Sequence, residues 1–146
     1  MGDRCYLWTI CKKTDQERVD KELSGGYGAN EEDAVVGDDT VICLAYEEVN
    51  YGGCEELEAL AKEGIVFVGH HSEGSVYPAE EFCSVNGLLM EIVTIDGTPC
   101  AVLDDETLTV SDNEQDFLIR YGAHRAAACA ALGLTQRFDS IKRGGD

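Results

Sequence analysis

Hydrophobic and polar positions change their period several times along this chain, and each change marks an element. Cys5 to Cys11 (CYLWTIC) is dense in β-forming residues and predicts a first strand. Thr14 with Glu17 three residues on fits a capping box, which opens a short helix over 15–23 that ends at Ser24-Gly25-Gly26. Residues 24–39 hold four glycines and the run Glu31-Glu32-Asp33, and read as a long loop. Residues 40–48 begin apolar on both faces, as a central strand does. After Tyr51-Gly52-Gly53, residues 54–63 place Leu57, Leu60 and Ala61 on one helical face and most glutamates on the other, with Gly64 past the end. Residues 65–68 predict a short buried strand, 69–77 a polar loop, and 79–85 a short helix opened by Pro78.

The second half carries the clearest local signal. Asp96-Gly97 lies between residues 88–95 and 99–103, and this dipeptide favours a tight hairpin turn because both residues tolerate positive φ. Ser111 with Glu114 forms a second capping box and opens the longest helix, over 112–132. Along it Phe117, Leu118, Tyr121, Ala128 and Leu132 recur at helical spacing and predict its core face. Residues 137–146 read as a frayed tail. The pattern predicts one α+β domain over 1–136: a mixed or antiparallel sheet of about five strands, with two or three helices packed on one face.

Composition agrees with a packed domain. Hydrophobic residues make up 44% of the 146, enough to bury a core despite the charge. No apolar run approaches the roughly 18 residues of a membrane span. The seven cysteines are odd in number, include no Cys-x-x-Cys pair and sit mostly among apolar neighbours. They read as reduced, buried small hydrophobes, and the expected location is the cytoplasm.

Charge changes the picture most. Between Gly26 and Asp116 there is one basic residue, Lys62, against 22 Asp and Glu, so this stretch is more acidic than the whole chain at −18. The first 25 residues balance, with five of each sign, and residues 117–146 carry five basic and two acidic side chains. Salt adaptation would coat the ends too, so the segregation favours a recognition surface. A field of one sign steers oppositely charged partners and repels nucleic acid and anionic membrane.

The expected function is therefore an acidic protein-interaction module. It would inhibit a partner by occupying its basic nucleic-acid-binding site, in an anti-defence or anti-CRISPR-like role, because carboxylates on one face imitate a phosphate track. The candidate partner-binding residues are Glu31, Glu32, Asp33, Glu47, Glu48, Glu55, Glu56, Glu80, Glu81, Asp104, Asp105 and Glu106. The alternative is a small enzyme or small-ligand-binding protein that uses the His70-His71 loop.

Chemistry at specific residues has weaker support. Adjacent histidines on an extended segment point apart, so at most one of His70 and His71 joins a given site. Cys54 starts a helix, which favours a thiolate, but Glu55 and Glu56 follow at once and oppose it. The glycines near 25–28 lack both phosphate-loop fingerprints, and neither 104-DDE-106 nor 112-DNE-114 fits a calcium loop. The sequence predicts no catalytic residue, no metal ligand set and no cofactor.

Overall fold

The first strand, β1 (Arg4–Lys12), is the sheet's organising element, paired on one side with β3 (Val41–Asn50) and on the other with β4 (Phe67–His71). The computed structural model describes residues 4–23, 30–32, 40–101, 103 and 105–134. Outward from this centre lie β2 (Asn30–Glu32) on β3, and on the other side β5 (Glu80–Val85), β6 (Leu88–Ile95) and β7 (Thr98–Pro99). The seven strands of the described residues form one antiparallel sheet in the order β2-β3-β1-β4-β5-β6-β7. The α+β class and antiparallel pairing match the expectation. The strands beyond the expected five are β2, a three-residue edge too brief to give a period, and β5, while the expected second arm of the hairpin shortens to β7.

Three helices follow their predicted positions: α1 (Gln16–Leu23), α2 (Cys54–Lys62) and α3 (Asp112–Ala131). The Ser111 side chain accepts a hydrogen bond from the Glu114 backbone N–H at 3.1 Å, so the second cap forms as its motif requires. Asp96 and Gly97 both adopt positive φ (52° and 78°), as a two-residue hairpin turn demands.

The helices do not share one face, which corrects the expected layering. Strand side chains alternate between faces. Leu7, Leu44, Phe67 and Phe82 meet Val19 and Leu23 of α1 and Leu57 and Leu60 of α2. On the opposite face Ile10, Cys43, Val68, Cys83 and Met90 meet Tyr121, Ala128 and Leu132 of α3. The central strands are apolar on both faces because both faces are covered. Arg18 ties α1 to α2 by pairing with Glu22 and Glu63. That pair is exposed and adds at most about 1 kcal/mol.

Residues 80–85 correct a second expectation, since they form β5 and not a helix. The segment is six residues long and buried on both sides beyond Glu80, so periodicity could not separate strand from helix. Pairing with β4 and β6 decides it. The expected loop over 69–77 loses its first three residues to β4, and the loop over 24–39 contains β2. The predicted tail, 137–146, lies outside the described residues.

Candidate functional site

The two histidines end β4, and the alternation of the strand sends them to opposite faces of the sheet. His71 faces the side covered by α2. It is 2% exposed and stands directly opposite Glu80 of β5, its Nε2 3.4 Å from Glu80 Oε1. Its Nδ1 donates to the Ser72 carbonyl at 2.8 Å. Glu91, opposite Phe82 on β6, completes a group of three in which one ligand atom from each residue lies within 4.8 Å of the others. Among the described residues this is the one His/Cys/Asp/Glu cluster of that kind.

The chain preceding α2 seals the top of this cluster. Gly52 has φ +67°, and a Cβ there would lie 2.7 Å from His71 Nε2, so the turn passes flat against the imidazole. The Tyr77 ring meets His71 edge-on at 5.6 Å. Burial opposes protonation of His71, but hydrogen bonds with Cys5 and Glu80 and the one to the Ser72 carbonyl outweigh it and raise its pKa. Burial opposes ionisation of Cys5 in turn, yet hydrogen bonds to its sulfur from His71 and Tyr77 bring its pKa below the ordinary thiol value. Burial, then the Glu80 carboxylate, raises the pKa of Glu91, with His71 opposing.

His70 belongs to the other face. The register aligns Ala45, Trp8, His70, Glu81 and Ile92 in one row across five strands. Trp8 stacks between Tyr6 (centroids 5.7 Å apart) and His70 (4.6 Å). α3 covers the far half of this face and leaves the aromatic row open. A cleft of about 760 Å³ results, lined by Trp8, His70, Ser72, Pro78, Thr94 and Asp96 among others. Its buried wall is Glu81, which is 1% exposed. Tyr121 donates its hydroxyl to Glu81 Oε1 at 2.8 Å, and Arg125 Nε lies 3.3 Å from the same oxygen.

The expected acidic positions divide accordingly. Glu47, Glu55, Asp105 and Glu106 are exposed, and Glu56 is half-buried. Glu80 and Glu81 do not form an exposed pair: Glu80 turns to His71, and Glu81 is buried under α3. The physical reason is the strand, which sends neighbours to opposite faces where a helix would have left both near solvent. Glu31 and Glu32 belong to β2 and Glu48 to β3, and nothing is described of their side chains. Asp33 and Asp104 lie outside the described residues.

Cys54 stands at the start of α2 with a raised pKa. Partial burial is the first cause and the Glu91 carboxylate the second, with Glu55 and Glu56 adding to it. The dipole does not make it a nucleophile. Sequence reasoning missed the joining of His71 to Glu80 and Glu91, and of His70 to Trp8. Both are cross-strand relations, so the usable signal was the pairing of 67–71 with 80–85, hidden while 80–85 read as a helix. Neither family models, nor curated proteins, nor solved structures give a match to this chain.

Proposed function

We propose that this protein is an acidic interaction module that occupies a basic, nucleic-acid-binding site on a partner protein. One observation carries the reading: part of the acidic middle of the chain, within residues 47–58 and 73–96, meets at one end of the sheet. β1 begins there, β3, β4 and β6 end there, and β5 and α2 start there. Of the segments that meet at this end, 45–58, 70–81 and 91–98 hold no Lys or Arg, and the start of β1 brings Arg4. Exposed carboxylates of Glu47, Glu55, Glu58, Glu73 and Asp96 stand on them. Lys62 sits at the other end of α2, about 12 Å along the helix axis from Cys54. Arg4, opposite Asn50, is the basic position nearest in the register. Tyr6, 50% exposed on the same end, supplies an aromatic contact of the kind that anchors interfaces.

Such a surface captures a basic groove by electrostatic steering. Its affinity falls with salt, since exposed charges are screened beyond about 8 Å at physiological ionic strength. The test is capture of partners from lysate at low and high salt, followed by competition with duplex nucleic acid for the captured partner. Reversing Glu55 and Glu58 together to Lys weakens binding by about 1–3 kcal/mol, chiefly by slowing association. A partner that holds this protein and nucleic acid at once, with affinity indifferent to salt, overturns the reading.

The cleft above Trp8 and His70 favours a second reading, a small-ligand-binding protein that uses His70. Its volume falls within the range of small-molecule sites, about 300–1,000 Å³, and its floor is aromatic. Screening of planar aromatic and cationic fragments by NMR distinguishes the two. Shifts confined to Trp8, His70 and Thr94 with a saturable ligand support this reading, and no saturable shift at any of them removes it.

A further inference from the structure

We propose that His71, Glu80 and Glu91 form a binding site for a single divalent transition-metal ion. The site lies on the face opposite the aromatic cleft and does not depend on the interaction reading above. Three adjacent strands supply one ligand each, so the donors are held by the rigid part of the sheet. Tetrahedral coordination with bonds of about 2.0–2.2 Å places neighbouring donor atoms roughly 3.3 Å apart. His71 Nε2 and Glu80 Oε1 already stand at 3.4 Å, and every pair in the group lies within 4.8 Å. Glu91 completes the set by a side-chain rotation, since it is only partly buried and reaches from the neighbouring strand.

The imidazole is prepared as a ligand. Metal-bound histidines characteristically donate their second ring N–H to a carbonyl or carboxylate, which fixes the tautomer and the ring plane. Here Nδ1 donates to the Ser72 carbonyl at 2.8 Å and leaves Nε2 beside the Glu80 carboxylate. Gly52 closes on one side of the ring, and no larger residue fits there without displacing it.

Charge points the same way. Two carboxylates converge on one imidazole in a mostly buried setting, where like charges repel strongly. A divalent ion bound at Nε2 offsets both carboxylates in place of the ring proton that it displaces. One nitrogen and two oxygens suit Zn²⁺, Co²⁺, Mn²⁺ or Fe²⁺ more than a soft, thiolate-seeking ion. Glu80 is 27% exposed, so an ion has a path in and a solvent molecule has room at the remaining position. Three protein ligands with one open position is the arrangement of metal sites that keep a water.

The test is titration of the whole, chelator-stripped chain with Co²⁺, followed by visible absorption. The expected result is saturation at one equivalent, with d–d bands and no intense thiolate charge-transfer band in the near ultraviolet. Glu80→Gln and Glu91→Gln each weaken binding at least about tenfold, while Cys54→Ser leaves it unchanged. Zn²⁺ added to the wild-type protein shifts the ring nitrogens of His71 and not those of His70 or His124, a readout that needs no variant to fold. No saturable binding, a charge-transfer band that Cys5→Ser or Cys54→Ser abolishes, unaltered affinity in both glutamine variants, or shifts at His70 or His124 in place of His71 overturns the proposal.

Discussion

Tyr121→Phe is the sharpest probe of the wall between α3 and the sheet. The substitution keeps the ring, which packs in the α3 core at 3% exposure, and removes one oxygen. That oxygen donates to Glu81 Oε1 at 2.8 Å, and Glu81 is 1% exposed. A hydrogen bond to a charged group contributes about 1.5–3 kcal/mol, and its loss leaves a buried carboxylate short of a donor. Arg125 Nε remains 3.3 Å from the same oxygen and limits the damage. The expected cost is therefore about 2 kcal/mol, read by urea denaturation with an unchanged m-value, and a fall in Tm of roughly 5–10 °C. Glu81→Gln in the same background should show coupling, because both changes act on one bond. A loss below about 0.5 kcal/mol, or strict additivity of the two variants, would refute the buried Tyr121–Glu81 bond. It would also reopen Glu81 as a residue available to a partner.

Alkaline stability follows from the buried thiols. Burial lifts Cys11 and Cys83 to about 12, so above pH 9 the unfolded chain loses two protons that the folded chain keeps. Stability from these groups is whole below pH 9 and falls as pH rises towards about 12, by roughly 1 kcal/mol or more per thiol for each pH unit. Urea midpoints measured from pH 8 to 10.5 check this, and a midpoint that rises above pH 9 contradicts it. All seven cysteines should react with a thiol reagent after denaturation without reductant, whereas in the native protein the exposed Cys54 is accessible but slow at neutral pH, its thiol pKa being raised, and Cys11, Cys43 and Cys83 do not react. Mass spectrometry that finds blocked cysteine pairs in fresh protein would count against reduced thiols. Ser111→Ala removes the α3 cap and should cost about 1 kcal/mol by the same urea assay, with no loss meaning that the cap bond does not hold in solution.

Local signals were mostly legible where one segment determined its own conformation, the exception being the Thr14–Glu17 capping box, since Thr14 falls inside a 3₁₀ turn over Lys13–Asp15 that leads into α1. The Asp96-Gly97 turn, the Ser111 cap and the glutamate-faced helix α2 each depend on residues within a few positions, and each forms as read. Misreadings arose where distant pairing decided. Residues 80–85 carry no period that distinguishes strand from helix, and Pro78 before them is compatible with either. Taking them as a helix removed the partner of β4, so His71 and Glu80 could not be seen facing each other. The layering failed for a related reason. Cys43 and Leu44 are both apolar and both buried, but a run apolar on both faces tells how much of a strand is covered and not what covers it. The segregated charge was visible at once, while the meeting of residues 45–58, 70–81 and 91–98 at one sheet end required the register.

That register also explains why the unusual chemistry accumulates at one end. β4 begins with Phe67-Val68, both buried in the two cores, and finishes with His70-His71. β5 runs the opposite way, from Glu80-Glu81 to Phe82-Cys83. Antiparallel pairing therefore sets apolar half against apolar half and polar half against polar half. β1 fits the same gradient, with Leu7 and Ile10 in the cores and Tyr6 half-exposed against Trp8 at the polar end. The covered half of the sheet carries the packing energy, and large-to-small changes there, such as Phe67 or Phe82 to Ala, cost about 3–5 kcal/mol. The other half is relieved of that duty on its solvent-facing positions. It holds a histidine on each face, one with carboxylates and one with a tryptophan, within a span of two residues. Because the strand separates them, a change at His70 leaves the His71 cluster's ligand atoms in place. The two faces can then be tested, and lost, independently.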